Sequence, residues 1–299
     1  MTTIAPNRTY EIHEVAELTG LQTARLRAWE RRYEVVRPRR LPNRYRVYTS
    51  EQVALLRAFG RLCAGGERIG DLVRESRETV ISRAEGRATD GSPLSQLLDA
   101  VRRLDRDGLT ALLTGHRARL GTPRFGREIV LPLGEVIGDL WALGKLSIAA
   151  EHLASEVVVQ QLKLELTVGD AAGPVLLAAC LPGERHEWGF LVTLTELRHG
   201  GWRVQYLGAD LPLKDLADAA WTMVPAVVAL SGADPENVLR LLPELRRLPR
   251  LLPPGTRVVL GGEGSEENGS RLRRAGLKVG AEAMSAAPSP PPARLVHRA

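Results

Sequence analysis

The sequence predicts a multi-domain chain in the order all-α winged helix-turn-helix, helical bundle and α/β doubly wound parallel sheet. Three observations carry this. Two short helical patterns lead into an arginine-rich stretch; apolar residues from Leu94 to about Leu166 recur only at helical spacing; and from Pro174 short apolar runs alternate with helical segments. A chain of 299 residues with 44% hydrophobic content is too long for one ordinary core.

In the first part, Ile12, Val15, Ala16 and Leu18 mark a helix stopped at Gly20, and Leu21, Leu26 and Trp29 mark a second helix after a tight turn. Two short helices joined through a glycine, the second loaded with arginine, make a helix-turn-helix. The following "RPRRLPNRYRVYT" has Pro42 and Asn43 as turn residues before an alternating "RYRVY", which predicts a two-stranded wing. Thr49 and Gln52 then form a capping box that opens the helix "SEQVALLRAFGRLC".

Charge marks this part for nucleic acid. Between Arg25 and Tyr48 stand nine arginines and two glutamates, a surplus larger than the +6 of the whole chain, so the remainder is close to neutral. Trp29, Tyr33, Tyr45 and Tyr48 are interleaved with these arginines. Arginine in place of lysine suits two-pronged contacts to phosphate and to guanine edges. The order of parts, with "LRAWERRY" and "NRYRVY", resembles the MerR-type winged-helix DNA-binding domain over roughly residues 9 to 80, within a domain placed at 1–85, although the glycines usual at that family's wing tip are missing. The resemblance implies that Arg25, Arg27, Arg31 and Arg32 lie on or beside a recognition helix. It also implies that Arg44, Arg46 and Tyr48 hold the wing against phosphate or the minor groove.

The segment "GRATDGSP" reads as a linker. The next part, 93–168, shows helical periodicity with breaks at "GTPRFG", "LPLG" and "LGKLS", the natural count being three or four packed helices. Trp141 ends one helix, and Glu151 and His152 stand about one turn into the next, counted from Ser147. A core tryptophan and a surface Glu-His pair would account for these by themselves.

The third part, 173–284, carries the apolar runs "VLLAAC", "RVQYLG", "AVVALSG" and "RVVLGG", separated by helical segments. Alternation at this spacing predicts a Rossmann-like parallel sheet whose ligand sits beyond the carboxyl ends of the strands. "GERHEWG", "GAD", "SGAD" and "GGEG" follow the four runs, so all four meet along that edge. His186 lies in the first of them.

Glu184-x-His186-x-x-Gly189 is similar to the D-x-H-x-x-G element of the cobalamin-binding Rossmann-like domain, with Glu in place of Asp. Ser231-Gly232-Ala233 stands where that family has a serine element, and Gly261-Gly262 matches its double glycine. The resemblance implies that His186 is the lower ligand of cobalt, a role that neutral imidazole suits, with Glu184 orienting the ring. Gly261 and Gly262 would let the backbone approach the nucleotide tail. With this element present, Trp141, Glu151 and His152 resemble the part of cobalamin-dependent regulators in which a four-helix bundle caps the upper face of the corrin.

Winged helix, bundle and cobalamin domain in this order resemble the CarH/LitR-type light-responsive repressors. That resemblance implies adenosylcobalamin as cofactor, operator DNA as partner, a homo-oligomer (dimer or tetramer) assembled in the dark, and Arg185 and Asp210 at a subunit interface. It implies no reaction on a substrate. In light-sensing relatives the residue after the motif tryptophan is often a histidine, and here it is Ala142. Two other readings stay open: a repressor of the same architecture controlled by a protein partner without cobalamin, and a corrinoid methyl carrier, which has no need of the arginines.

Cys63 and Cys180 lie far apart in apolar contexts and predict neither a disulfide nor a metal site. The first residues show no basic patch leading into an apolar run, and no apolar run approaches the about 18 to 20 residues that span a bilayer. A cytoplasmic chain without membrane contact is expected, with a disordered Pro- and Ala-rich tail over 285–299.

Overall fold

The computed structural model describes residues 9–41, 45–85, 92–167 and 172–280; Arg44, much of the linker and the tail lie outside them. The chain forms two compact units, one holding residues up to 116 together with 128–158, the other 117–127 together with 159 onward.

The first unit opens with β1 (Thr9–Glu11), α1 (Ile12–Thr19) and α2 (Thr23–Tyr33). Glu11 and Glu14 cap α1 reciprocally, and Gly20 at φ 67° ends it in the left-handed conformation that a glycine adopts without strain. Then come β2 (Arg39–Arg40), β3 (Arg46–Thr49) and α3 (Ser50–Ala64), with the expected Thr49–Gln52 capping box in place. The wing is larger than predicted, because β1 joins its edge to give a three-stranded antiparallel sheet in the order β1-β3-β2, with Tyr10 opposite Tyr48. A strand of three residues is too short to show alternation. Leu26, Trp29, Tyr48, Leu56 and Phe59 belong to one core, in which the Trp29 and Phe59 rings meet edge to face at 6.4 Å. Short helices α4 (Ile69–Leu72) and α5 (Arg77–Glu85) complete this part.

The bundle helices follow as α6 (Pro93–Arg102), α7 (Arg106–Leu120), α8 (Thr122–Phe125), a π-helical turn (Gly126–Val130), α9 (Leu131–Ala142) and α10 (Ile148–Glu165). The break expected at "LPLG" is absent. Pro132 falls in the first turn of α9, and the π-helical turn that runs directly into it carries the helical path past the missing N–H. The break at "LGKLS" is real: Gly144 at φ 66° ends the turn after α9.

The second unit contains β4 (Val175–Cys180), α11 (Trp188–His199), β5 (Arg203–Tyr206), α12 (Leu213–Met223), β6 (Val227–Ser231), α13 (Pro235–Leu251), β7 (Arg257–Gly261), α14 (Glu263–Glu267), α15 (Gly269–Arg274) and β8 (Lys278–Val279). All five strands are parallel in the order β5-β4-β6-β7-β8, so the chain reverses its direction of growth between β5 and β6. The two-residue β8 had no signal in the sequence. Central β4 and β6 are buried almost throughout, as strands covered on both faces must be. Leu213, Leu216 and Ala217 of α12 and Val238, Leu241 and Leu245 of α13 join Leu177, Ala179, Val228 and Leu230 in one apolar core. Among the described residues no helix is long and apolar enough to cross a membrane.

Candidate functional site

The carboxyl ends of β4, β5, β6 and β7 raise the four expected loops on one edge of the sheet. In the loop after β4, Glu184 is 2% exposed and its carboxylate is fully engaged. Its Oε1 accepts from the His186 backbone N–H at 2.8 Å and meets His186 Nδ1 at 2.7 Å. Its Oε2 accepts from the N–H groups of Ala233 and Asp234, at 2.8 and 3.2 Å, in the loop after β6. Burial opposes ionisation, yet the His186 ring and backbone hydrogen bonds, the His186 charge and the Ala233 N–H hold this carboxyl at about 2. An ionised acceptor on Nδ1 draws the ring proton there, which places the lone pair of the neutral imidazole on Nε2. The His186 side chain is 70% exposed.

The same edge brings most of the other predicted residues together. Asp210, exposed and at φ 53°, accepts at Oδ1 from the Gly183 N–H at 2.6 Å, tying the loop after β5 to the loop after β4. Arg185 is exposed, and Gly189 opens α11 with space where a Cβ would stand. Ser231 is buried at the end of β6. At Gly262 a Cβ would stand 2.7 Å from the Gly232 carbonyl oxygen, so the bare backbone there serves the packing of one loop on another. Gly261, buried as the last residue of β7, accepts the Gly232 N–H at 3.0 Å.

Residues that the sequence reading missed support this loop from beneath. Tyr206 donates to Glu187 at 2.6 Å, Lys163 Nζ lies 2.9 Å from Glu187, and the Tyr206 hydroxyl touches Cys180 Sγ at 3.4 Å. Burial pushes the Cys180 thiol up to about 12 and raises the Tyr206 phenol as well. Only the position of Tyr206 at the end of a strand on the ligand edge could have pointed to it. The donor set fits a corrin, which carries its own ring nitrogens: one exposed imidazole oriented by a carboxylate, as at His186, would be enough to hold it from the protein side.

In the first unit, Trp141 is half-buried in the last turn of α9, and Ala142 and Leu143 pack against the winged-helix core. Ser147 Oγ accepts the Ala150 N–H at 3.2 Å and starts α10. One turn on, Glu151 Oε2 and His152 Nε2 are 3.5 Å apart, with His152 73% exposed.

The winged helix presents Arg25, Arg27, Arg31 and Arg32 of α2, all exposed. Tyr48 and Arg46 behave otherwise. Tyr48 is wholly buried and donates its hydroxyl to Glu30 of α2, while Arg46 Nε donates to the other Glu30 oxygen at 2.8 Å. Burial, and then the hydrogen bond to Glu30, raise the Tyr48 phenol. The expected DNA contact through Tyr48 is corrected by this burial: its side chain ties the wing to α2.

Residues 10–75 match the MerR HTH family of regulatory proteins, and residues 94–164 match the B12 binding domain. The chain is 34% identical to the HTH-type transcriptional repressor CarH of Myxococcus xanthus over 91% of this chain and 95% of that protein. It is 35% identical to the repressor CarA of the same organism, over 87% of this chain and 88% of that protein. The chain belongs to the CarH/CarA family of MerR-type repressors. Among solved structures, the Methanosarcina barkeri monomethylamine corrinoid protein is similar at 18% identity and a TM-score of 0.46, over 63% of this chain and 93% of that one.

In this CarH/CarA-type repressor Glu30 emerges as the residue on which the wing depends, although the 16 and 18 positions that separate it from Arg46 and Tyr48 hide the pairing in the sequence. Glu30→Ala leaves a buried phenol without its acceptor and is expected to cost about 2 kcal/mol in urea unfolding. Glu30→Gln, which keeps one acceptor oxygen, should cost less. Equal stability of the Ala variant and the wild type would show that the lock contributes nothing.

Proposed function

We propose that the chain is a cobalamin-dependent, light-responsive transcriptional repressor that binds operator DNA as an oligomer in the dark with adenosylcobalamin bound. The observation that carries this reading is the buried Glu184, held by three backbone N–H groups, orienting an exposed His186 on the carboxyl edge of a parallel sheet. Residues 1–85 act as the DNA-binding part, 93–168 as the cap and 173–284 as the cobalamin-binding part. His186 supplies Nε2 to cobalt, and Glu184 sets the ring's tautomer and direction. Trp141, Glu151 and His152 face the adenosyl group, and Arg185 and Asp210 lie at the subunit interface. When bound, adenosylcobalamin supplies a cobalt–carbon bond that light cleaves.

The experiment is an absorption spectrum of the protein incubated with adenosylcobalamin in the dark and freed of excess by gel filtration. Stoichiometric retention with an imidazole-ligated spectrum supports the reading. No retention favours the partner-controlled repressor.

Light adds a prediction of its own. Ala142 has a methyl side chain with no lone pair, and it is packed against the winged-helix core. It therefore offers no second imidazole after illumination, and the wild type should show no bis-imidazole spectrum and should hold cobalamin less firmly than in the dark. A stable bis-imidazole spectrum would assign the capture to another histidine and overturn this expectation.

A further inference from the structure

The end of α9 that carries Trp141 also carries the contact that fixes the winged helix. Arg57 of α3 is 7% exposed, and so is Asp139 of α9. Arg57 donates Nε to the Leu18 carbonyl oxygen at 2.8 Å, at the last turn of α1, and Nη1 to Asp139 Oδ1 at 2.8 Å. Arg61, one turn further along α3, reaches Asp139 Oδ2 at 3.0 Å and Glu135 Oε2 at 3.4 Å. Ala142 and Leu143 pack beside them against the same core. Two arginines from the DNA-binding part therefore converge on one buried carboxylate of the cap.

Such an arrangement is directional. An apolar contact tolerates rotation and sliding, whereas a guanidinium bound both to a carboxylate and to a helix-end carbonyl is satisfied in one orientation only. The contact uses α3 and leaves the α2 arginines 25, 27, 31 and 32 exposed, so it orients the recognition helix without covering it.

We propose that Asp139, through Arg57 and Arg61, is a positioning residue for DNA recognition: it fixes each winged helix on its cap, so that an oligomer accepts only operators whose half-sites have the matching separation. The proposal rests on the reading above in that DNA is bound by more than one winged helix. Cobalamin is not required for it.

Duplexes selected from a random library by the wild-type protein in the dark with adenosylcobalamin supply the probe, rebuilt with one half-site or with two at stepped separations. The wild type should favour separations near one turn, about 10 to 10.5 base pairs, or a multiple of it. Asp139→Asn should keep its affinity for a single half-site. On the best two-half-site duplex it should lose about tenfold, with a flattened dependence on separation, because the avidity of linked sites depends on geometry. Should Asp139→Asn not fold, the double variant Arg57→Met with Asp139→Leu fills the contact with apolar atoms and is expected to fold with the same flattened profile. A wild-type profile in either folded variant overturns the proposal, and so does tighter binding to the two-half-site duplex, which would make the contact a brake. Single-site binding by the wild type itself would contradict the oligomeric reading. Dark cobalamin uptake, which Asp139→Asn should leave unchanged, keeps a failure of the cobalamin reading separate.

Discussion

His186→Ala is expected to yield a folded protein with at least about 100-fold lower cobalamin affinity, since even partners one bond removed from a metal are worth 10- to 100-fold. The fold should survive, because the ring is 70% exposed and Glu184 keeps the backbone N–H groups of residue 186, Ala233 and Asp234 when the imidazole is gone. Glu184→Ala is a different experiment. It leaves the Ala233 and Asp234 N–H groups without their acceptor, so it should lower both loop stability and cobalamin affinity. An unchanged cobalt spectrum and unchanged affinity in His186→Ala would remove the histidine from the site.

The second large effect is that of salt on DNA binding. If the four exposed arginines of α2, doubled in an oligomer, meet six or more phosphates as proposed, operator affinity should fall about 10³-fold between about 50 and 200 mM salt as counterions are released. Removal of one phosphate contact, as in Arg31→Ala, should weaken binding alike on all sequences and reduce the salt slope by about 1. Arg46→Ala should act differently, because Arg46 is committed to Glu30: its loss loosens the wing before it removes a charge from the phosphate. A salt-independent affinity would mean that this basic face does not meet DNA.

Local signals were read well and distant ones were not. Gly20, the Thr49–Gln52 box and the Glu184–His186 pair each act within a few residues, so their spacing carries the information. Tyr48 was expected against DNA because its partners, Glu30 and Tyr10, lie 18 and 38 positions away. Arg57 and Asp139 are 82 residues apart, each an ordinary charged residue on a helix until the fold buries them together. Pro132 misled in the opposite direction, since a π-helical turn just before it carries the helix through the proline. The paired glycines at 261 and 262 are legible in the sequence as a loop at the end of a strand, but only the structure shows Gly262 packing against Gly232.

The central claim is that cobalamin held at His186 governs binding of DNA by the winged helix. The most direct test is a titration of operator duplex with the full chain in the dark, without cofactor, with adenosylcobalamin, and with adenosylcobalamin after illumination. The account predicts tight binding only in the dark with the cofactor, and its loss on illumination and in His186→Ala. Identical binding in all three conditions would contradict it.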